Sequence, residues 1–282
     1  MEISYHDHFS TLGHPQRLAV FRLLMRRYPD RVPATELAQA LGLKSSTLST
    51  YVSALMKAGL VSQERVGTSL RYAIDMDATR LTVDYLLNDC CRGRPEICAP
   101  NARPAPKRDS PMSDRKYNVL FICTGNSARS IFAESILRDL AGDRFVAYSA
   151  GTKPRSALNP FTLRVLEHEG HDISGLWAKN ISEFQRTDAP DLDFVFTVCD
   201  QAANEECSTW QGQPISAHWG LPDPVKVGGS AADKGLAFQQ TYGAMRHRMA
   251  RFTTLPIVAL DRISLQRAVD EIGRSNQEGA FA

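Results

Sequence analysis

The sequence predicts two domains of different class: a mainly α N-terminal domain with a short β-hairpin, then an α/β domain of three layers around a parallel sheet. Three observations carry this. The chain, at 282 residues, is long enough for two domains of ordinary size. Helical periodicity dominates up to about residue 88, whereas after residue 116 strand-length apolar runs alternate with helical patterns. Between them, residues 99–115 are aperiodic, charged and rich in proline (Pro100, Pro104, Pro106, Pro111), the composition of a semi-extended linker. The expected division is therefore 1–98, a linker 99–115, and 116–282.

Composition narrows the class. Net charge is only +2, with a slight positive excess ahead of residue 115, so charge alone is a weak sign of a nucleic-acid partner. The apolar runs are strand length, and no membrane span is expected. The opening Met1-Glu-Ile-Ser-Tyr-His6 lacks a charged-then-apolar signal pattern. A cytoplasmic location is expected, where thiols stay reduced. The six cysteines are then read as catalytic or metal-binding before structural disulfides.

In the first domain, His6 to Leu12 and Pro15 to Arg27 have helical spacing, with Leu18, Phe21, Leu24 and Met25 marking one face. Thr35 to Leu41 predicts a short helix closed by Gly42. Ser45 or Ser46 is expected to cap a second helix running to about Lys57, with Leu48, Val52, Leu55 and Met56 inward and Gly59 as the stop. Two helices joined by a tight glycine turn form a helix-turn-helix pattern. Leu60 to Val66 and Leu70 to Ile74, joined by Gly67-Thr-Ser69, read as a hairpin wing, and Asp77 to Asn88 as a closing amphipathic helix. The outward face of the second helix carries Ser45, Ser46, Thr47, Ser49, Thr50 and Ser53, small hydrogen-bonding groups suited to phosphates and base edges. Lys44, Arg65 and Arg71 can add phosphate contacts, which makes operator DNA the expected partner.

Phe9-Ser-Thr-Leu-Gly-His-Pro-Gln-Arg-Leu18 resembles the opening of the ArsR-type winged-helix repressors, and the resemblance runs to about Asn88. It implies a homodimer formed through this domain, which leaves its operator when a metal or metalloid binds. Many members of that family carry a Cys-x-Cys pair on the helix before the recognition helix. Here that helix, Ala34-Thr-Glu-Leu-Ala-Gln-Ala-Leu41, has no cysteine. Three thiols follow instead at Cys90, Cys91 and Cys98, with Gly93 and Pro95 able to turn the chain between them. Trivalent arsenic is soft and takes three thiolates, whereas zinc would prefer a fourth ligand such as Asp89 or Glu96. Some ArsR-type repressors have an arsenite site of this make-up after the last helix. The resemblance implies arsenite or antimonite as regulatory ligand, and no tightly bound cofactor is expected.

In the second domain, the apolar run Tyr117 to Ile122 predicts a buried parallel strand ending in Cys123. Thr124, Gly125, Asn126, Ser127 and Ala128 then lead to Arg129 and Ser130, and a helical pattern covers Ile131 to Leu140. A thiol facing helix-terminal amides should have a lowered pKa and act as a thiolate nucleophile. Loop amides and Arg129 can cradle a tetrahedral oxyanion, and the Ser130 hydroxyl can donate to the thiolate. Downstream, strands are expected at Phe145 to Ser149, Asp193 to Val198 and Pro214 to His218. Helices are expected from Asn159-Pro160 to Glu169, over Gly235 to Phe252, and over Asp261 to Ile272, with a mobile tail from Ser275. The order predicts a parallel sheet covered on both faces, with the site at the carboxyl ends of its strands. Cys123 and Cys199 each close a strand, so both can reach one crevice.

From Lys116 to Leu255 the pattern resembles the low-molecular-weight protein tyrosine phosphatases and the arsenate reductases that share their fold. The thioredoxin-coupled reductases carry a cysteine pair like Cys199 and Cys207, which implies a redox relay. His218-Trp-Gly-Leu-Pro-Asp223-Pro224 resembles the reductase branch, and the resemblance makes Asp223 the general acid. Val225-Lys-Val-Gly228 stands where phosphatases usually have aromatics, which argues against a phosphotyrosine substrate. In some members Asn126, Glu134 and Ser149 would line a potassium site, and Lys179 is expected to stand in for the ion. The whole implies an arsenate reductase fused to a repressor that its own product induces, with thioredoxin, glutaredoxin or mycothiol as thiol donor. The alternatives are a low-molecular-weight phosphatase tethered to a DNA-binding module, and a pure regulator with a silent enzyme domain.

Overall fold

The computed structural model describes residues 5–92, 115–205, 210 and 213–274. The chain divides into two units, Met1–Met112 and Ser113–Ala282. The expected linker and the tail from Ser275 lie, apart from Arg115, outside the described residues, as do Cys98 and Cys207.

The first unit runs α1 (Tyr5–Leu12), α2 (Pro15–Arg27), β1 (Val32–Pro33), α3 (Ala34–Ala40), α4 (Ser45–Lys57), β2 (Val61–Val66), β3 (Ser69–Ile74) and α5 (Met76–Asp84). Pro15 opens α2 behind His14, whose side chain accepts the Gln16 N–H. The buried face of α2 matches the expected one in part, with Leu24 buried and Phe21 and Met25 packed against the core. Val20, Leu23 and Leu24 fill the core, while Leu18 is 40 % exposed. The fourth member of that face is Arg27, buried because Glu36 and Asp30 pair with it, and a buried cation hides an apolar stripe from any hydrophobic count.

Gly42 (φ +63°) and Gly59 (φ +75°) end α3 and α4 in the left-handed region that only glycine adopts freely. Neither Ser45 nor Ser46 caps α4. The N-cap is Lys44, with no side-chain cap bond, so both serines sit within the first turn, exposed. The wing hairpin β2–β3 is joined by β1, a strand too short to read in sequence, which pairs Val32 with Tyr72. The closing helix changes winding: α5 continues as a π-helical turn over Tyr85–Cys90 instead of one α-helix to Asn88.

The second unit runs β4 (Tyr117–Cys123), α6 (Arg129–Ala141), β5 (Phe145–Gly151), α7 (Pro160–His168), β6 (Phe194–Thr197), α8 (Asp200–Asn204), β7 (Ile215–His218), α9 (Ala231–Thr253) and α10 (Arg262–Arg274). The sheet is parallel throughout, in the order β5-β4-β6-β7. Val119 to Cys123 are all buried, as a strand covered on both faces requires. On one face Phe194 and Phe196 meet Phe252 of α9. The chain leaves β4 for β5 on one side and returns to β6 on the other. That reversal opens a crevice at the carboxyl ends of β4 and β6, where doubly wound sheets bind ligands. Cys123 ends β4, and Cys199 lies two residues past β6.

Candidate active site

The loop from Cys123 to Arg129 wraps the Cys123 thiol. Asn126 donates its backbone N–H to Cys123 Sγ (3.1 Å), and Ser130 Oγ lies 2.9 Å from the same sulfur. Asn126 takes a left-handed φ of +42°, a conformation asparagine tolerates, and that turns its amide inward. Its side chain holds the turn: Nδ2 donates to Ser130 Oγ (2.9 Å) and Ser149 Oγ (2.8 Å), and Oδ1 accepts from the Lys179 N–H (2.6 Å).

Behind this turn lies a buried charged cluster. Ser149 Oγ donates to the Glu134 carboxylate, and Lys179 Nζ reaches the same carboxylate at 3.1 and 3.4 Å and the Trp177 carbonyl at 3.2 Å. The Lys179 ammonium thus sits among Glu134 and the residues hydrogen-bonded to it, where the sequence reading placed it in the role of a cation. The loop's outer edge is tied by backbone bonds from Thr152, Lys153, Arg155 and Asn159 to the carbonyls of Cys123, Thr124, Gly125 and Ser127. Gly151 is obligatory here, since a Cβ would lie 2.7 Å from the Thr124 carbonyl oxygen.

Two further predicted residues converge on the loop. Cys199 is buried, and its Sγ lies 3.4 Å from Thr124 Oγ1, beside the residue that follows Cys123. Cys199 also N-caps α8, its sulfur accepting the Ala202 N–H. Arg129 donates to the Leu221 carbonyl (2.9 Å) and pairs with Asp223 (2.9 Å), so the general-acid candidate meets the candidate anion-binding guanidinium directly.

The expected lowering of the Cys123 pKa is reversed. Burial pushes this thiol up, and the neighbouring Cys199 adds to that; Ser130, Arg129 and the Asn126 N–H pull it down without outweighing them. The thiol is fully enclosed, and Arg129 directs its charge to Asp223.

Thr124, Gly125, Ser127 and Arg129 are half-buried, while Asn126, Ala128 and Ser130 are buried. In the first unit, Lys44, Ser45, Ser46, Ser49, Thr50 and Ser53 are exposed on one face of α4, with Thr47 half-buried. Arg65 is exposed on the wing; Arg71, on the central strand, is half-buried and its Nε enclosed. Cys90 is exposed in the π-turn and Cys91 half-buried just after it. Sequence reasoning missed the contact of His218 with Asp200 next to Cys199, although His218 stood in a motif it had singled out. No helix among the described residues is long and apolar enough to cross a membrane.

A thiol, an arginine and a second thiol around one oxyanion loop, at the switch point of a doubly wound sheet, define a cysteine-based oxyanion-handling protein joined to a helix-turn-helix unit. Comparison agrees. Residues 118–264 match the family of low molecular weight phosphotyrosine protein phosphatases, and residues 12–64 match a helix-turn-helix domain family. An arsenate reductase of Bacillus licheniformis is 33% identical over 141 residues, 49% of this chain and 95% of that protein. Arsenate reductases of Bacillus subtilis and Shouchella clausii are each 32% identical, over 48% and 49% of this chain and 93% and 95% of their own lengths. The chain belongs to the low molecular weight phosphotyrosine protein phosphatase family. Within it, the chain joins an ArsR-type helix-turn-helix unit to a domain of the arsenate reductase branch.

Proposed function

We propose that the second unit reduces arsenate by a three-cysteine relay and that the arsenite so formed relieves DNA binding by the first. The observation that carries the reading is the approach of Cys199 Sγ to within 3.4 Å of Thr124 Oγ1, which sets a second thiol at the loop that holds Cys123. A phosphatase has no use for that thiol, and the relatives that match are named as arsenate reductases.

In the mechanism, arsenate rests on the loop amides from Thr124 to Ser130, and Arg129 turns from Asp223 to the anion. The Cys123 thiol gives up its proton, which the Asp223 carboxylate freed from Arg129 takes up; the thiolate attacks arsenic, and Asp223 passes the proton to the departing oxygen. Cys199 then attacks Cys123 Sγ. The sulfur–arsenic bond breaks with its electron pair on arsenic, and arsenite leaves. Cys207 attacks Cys199, which restores Cys123 and leaves a Cys199–Cys207 disulfide for a thioredoxin-type donor to reduce. Arsenite binds Cys90, Cys91 and Cys98, and the α4 face with Lys44 and the wing arginines leaves its operator. The protein acts as a homodimer through its first unit.

The test is a disulfide map. Reduced protein receives one equivalent of arsenate, is alkylated and digested, and its peptides are weighed. A Cys199–Cys207 bridge that requires arsenate supports the relay. Full aryl phosphate turnover in a Cys199→Ser variant, with no arsenate-dependent bridge, would replace the reading with the phosphatase one. Regulation is tested separately: arsenate plus thioredoxin should release DNA from wild type and not from Cys123→Ser, while arsenite releases both.

A further inference from the structure

His218-Trp219-Gly220 leads into Asp223, yet the relay uses none of the three. Their geometry converges on Cys199. His218 ends β7 and lies in register with Thr197, the last residue of β6. Its imidazole is completely buried, with Nδ1 2.8 Å from Thr197 Oγ1 and Nε2 3.2 Å from Asp200 Oδ1. A carboxylate only accepts, so Nε2 carries a proton toward Asp200, while Nδ1 and the Thr197 hydroxyl share the second bond. One ring therefore ties the residue before the Val198-Cys199 pair to the residue after it.

The other two residues of the motif make this possible. A Cβ on Gly220 would lie 2.6 Å from His218 Nε2 and 2.7 Å from Asp200 Oδ1, so bare backbone alone can close over the bond. Trp219 stacks on Phe196 (centroids 4.0 Å, interplanar 9°) and donates its indole N–H to the Val269 carbonyl (3.0 Å). That fixes the chain on which the imidazole is mounted.

We propose that His218, acting through Asp200, is a positioning residue for the second thiol: the pair clamps the chain on both sides of Cys199 and holds its sulfur at the oxyanion loop. The inference rests on the relay above and assigns its middle step. In that step the Cys199 sulfur bonds to Cys123 Sγ, and the bond from Cys123 to arsenic breaks. Two thiol sulfurs are oxidised to a disulfide, pentavalent arsenic takes the electron pair and leaves as trivalent arsenite, and the thiol proton passes to the arsenite oxygens. Asp200 is the accessible end of the clamp, with 53 % of its side chain exposed, so it can be altered without opening the core.

The test uses the full chain in a single turnover without thiol donor: reduced protein is mixed with excess arsenate, quenched, and the arsenite released per chain is followed in time. Calorimetric binding of inorganic phosphate reports the oxyanion loop independently. Asp200→Ala is expected to slow arsenite release at least about tenfold while phosphate affinity stays within about twofold. Asp200→Asn keeps the Oδ1 acceptor and should return release to within about threefold of wild type. Arsenite release by Asp200→Ala at the wild-type rate overturns the clamp. A parallel fall in phosphate affinity overturns it too, because the residue would then be supporting the fold as a whole. A wild type that binds phosphate but releases no arsenite overturns the relay itself, and the clamp with it.

Discussion

Replacing Lys179 with methionine should unfold the second unit far more readily than replacing both members of its ion pair. Lys179 and Glu134 are 5 % and 10 % exposed and 3.1 Å apart, and the same carboxylate accepts from Ser149. Methionine keeps the bulk of the lysine stem, so the main loss is electrostatic: Glu134 keeps its charge in a buried pocket without a counter-ion. Breaking such a pair from one side costs about 3–5 kcal/mol, whereas neutral replacement of both partners costs far less. With a urea dependence of about 2 kcal/mol per molar, the Lys179→Met midpoint should fall by about 2 M. The assay is urea unfolding followed by tryptophan fluorescence. All three tryptophans, Trp177, Trp210 and Trp219, lie in the second unit, so the full chain reports that unit alone. Adding Glu134→Gln to Lys179→Met should restore most of the midpoint, since glutamine can still accept from Ser149. A Lys179→Met midpoint within about 0.3 M of wild type, or a double variant no better than the single, would refute the reasoning.

Four other outcomes follow from the same geometry. Gly151→Ala should keep the fold but reduce arsenate turnover at least about tenfold, because its Cβ meets the Thr124 carbonyl at 2.7 Å and Asn126 Cβ at 3.0 Å; steady-state kinetics with arsenate checks this. Asp270 has a carboxyl pushed up to about 6 by burial, opposed by its bond from Gln266 and by Arg274. Its folded value lies above the unfolded one, so this residue costs no stability below about pH 4 and an increasing amount as pH rises through about 6. Asp270→Asn should therefore stabilise at pH 8 by about 1–2 kcal/mol, allowing for partial exposure, and be neutral at pH 4, as read by urea midpoints at both pH values. Lys44→Ala, at the exposed start of α4, should weaken operator binding evenly across sequences and lower the salt slope of log K by about 1 in a fluorescence anisotropy titration. Cys91→Ser should leave DNA affinity within about twofold and raise the arsenite concentration needed for release at least about tenfold; equal release by variant and wild type would remove Cys91 from the sensor.

The sequence was most legible where local chemistry dictates structure by itself. The strand-to-helix loop from Cys123 to Ser130 needed only an apolar run, small residues and an arginine in fixed order, and it lies where that order places it. The wing, the end of α4 at Lys57 and the glycine stops at Gly42 and Gly59 follow from backbone propensity in the same way. What escaped was set by partners distant in sequence. Arg27 is buried in place of an apolar residue because Glu36 and Asp30 meet it, and no periodicity can announce an ion pair. β1 is two residues long and exists only because Tyr72 and Arg71 lie opposite. The Cys123 thiol shows the same limit in the site itself. A helix N-terminus is local, and it suggested a lowered pKa. The burial of the sulfur and the approach of Cys199 are tertiary, and together they outweigh Ser130, Arg129 and the Asn126 N–H and reverse the sign. The reversal bears on the chemistry. If Arg129 must leave Asp223 before it can hold an oxyanion, the same displacement brings its guanidinium to bear on the loop and frees the carboxylate to take up the proton that it passes to the leaving oxygen. Activation of nucleophile and acid are then one event triggered by the substrate, and Asp223→Asn should weaken turnover while tightening phosphate binding, because the competing carboxylate charge is gone. Phosphate binding that weakens in Asp223→Asn would show that the Arg129–Asp223 pair does not compete with the anion.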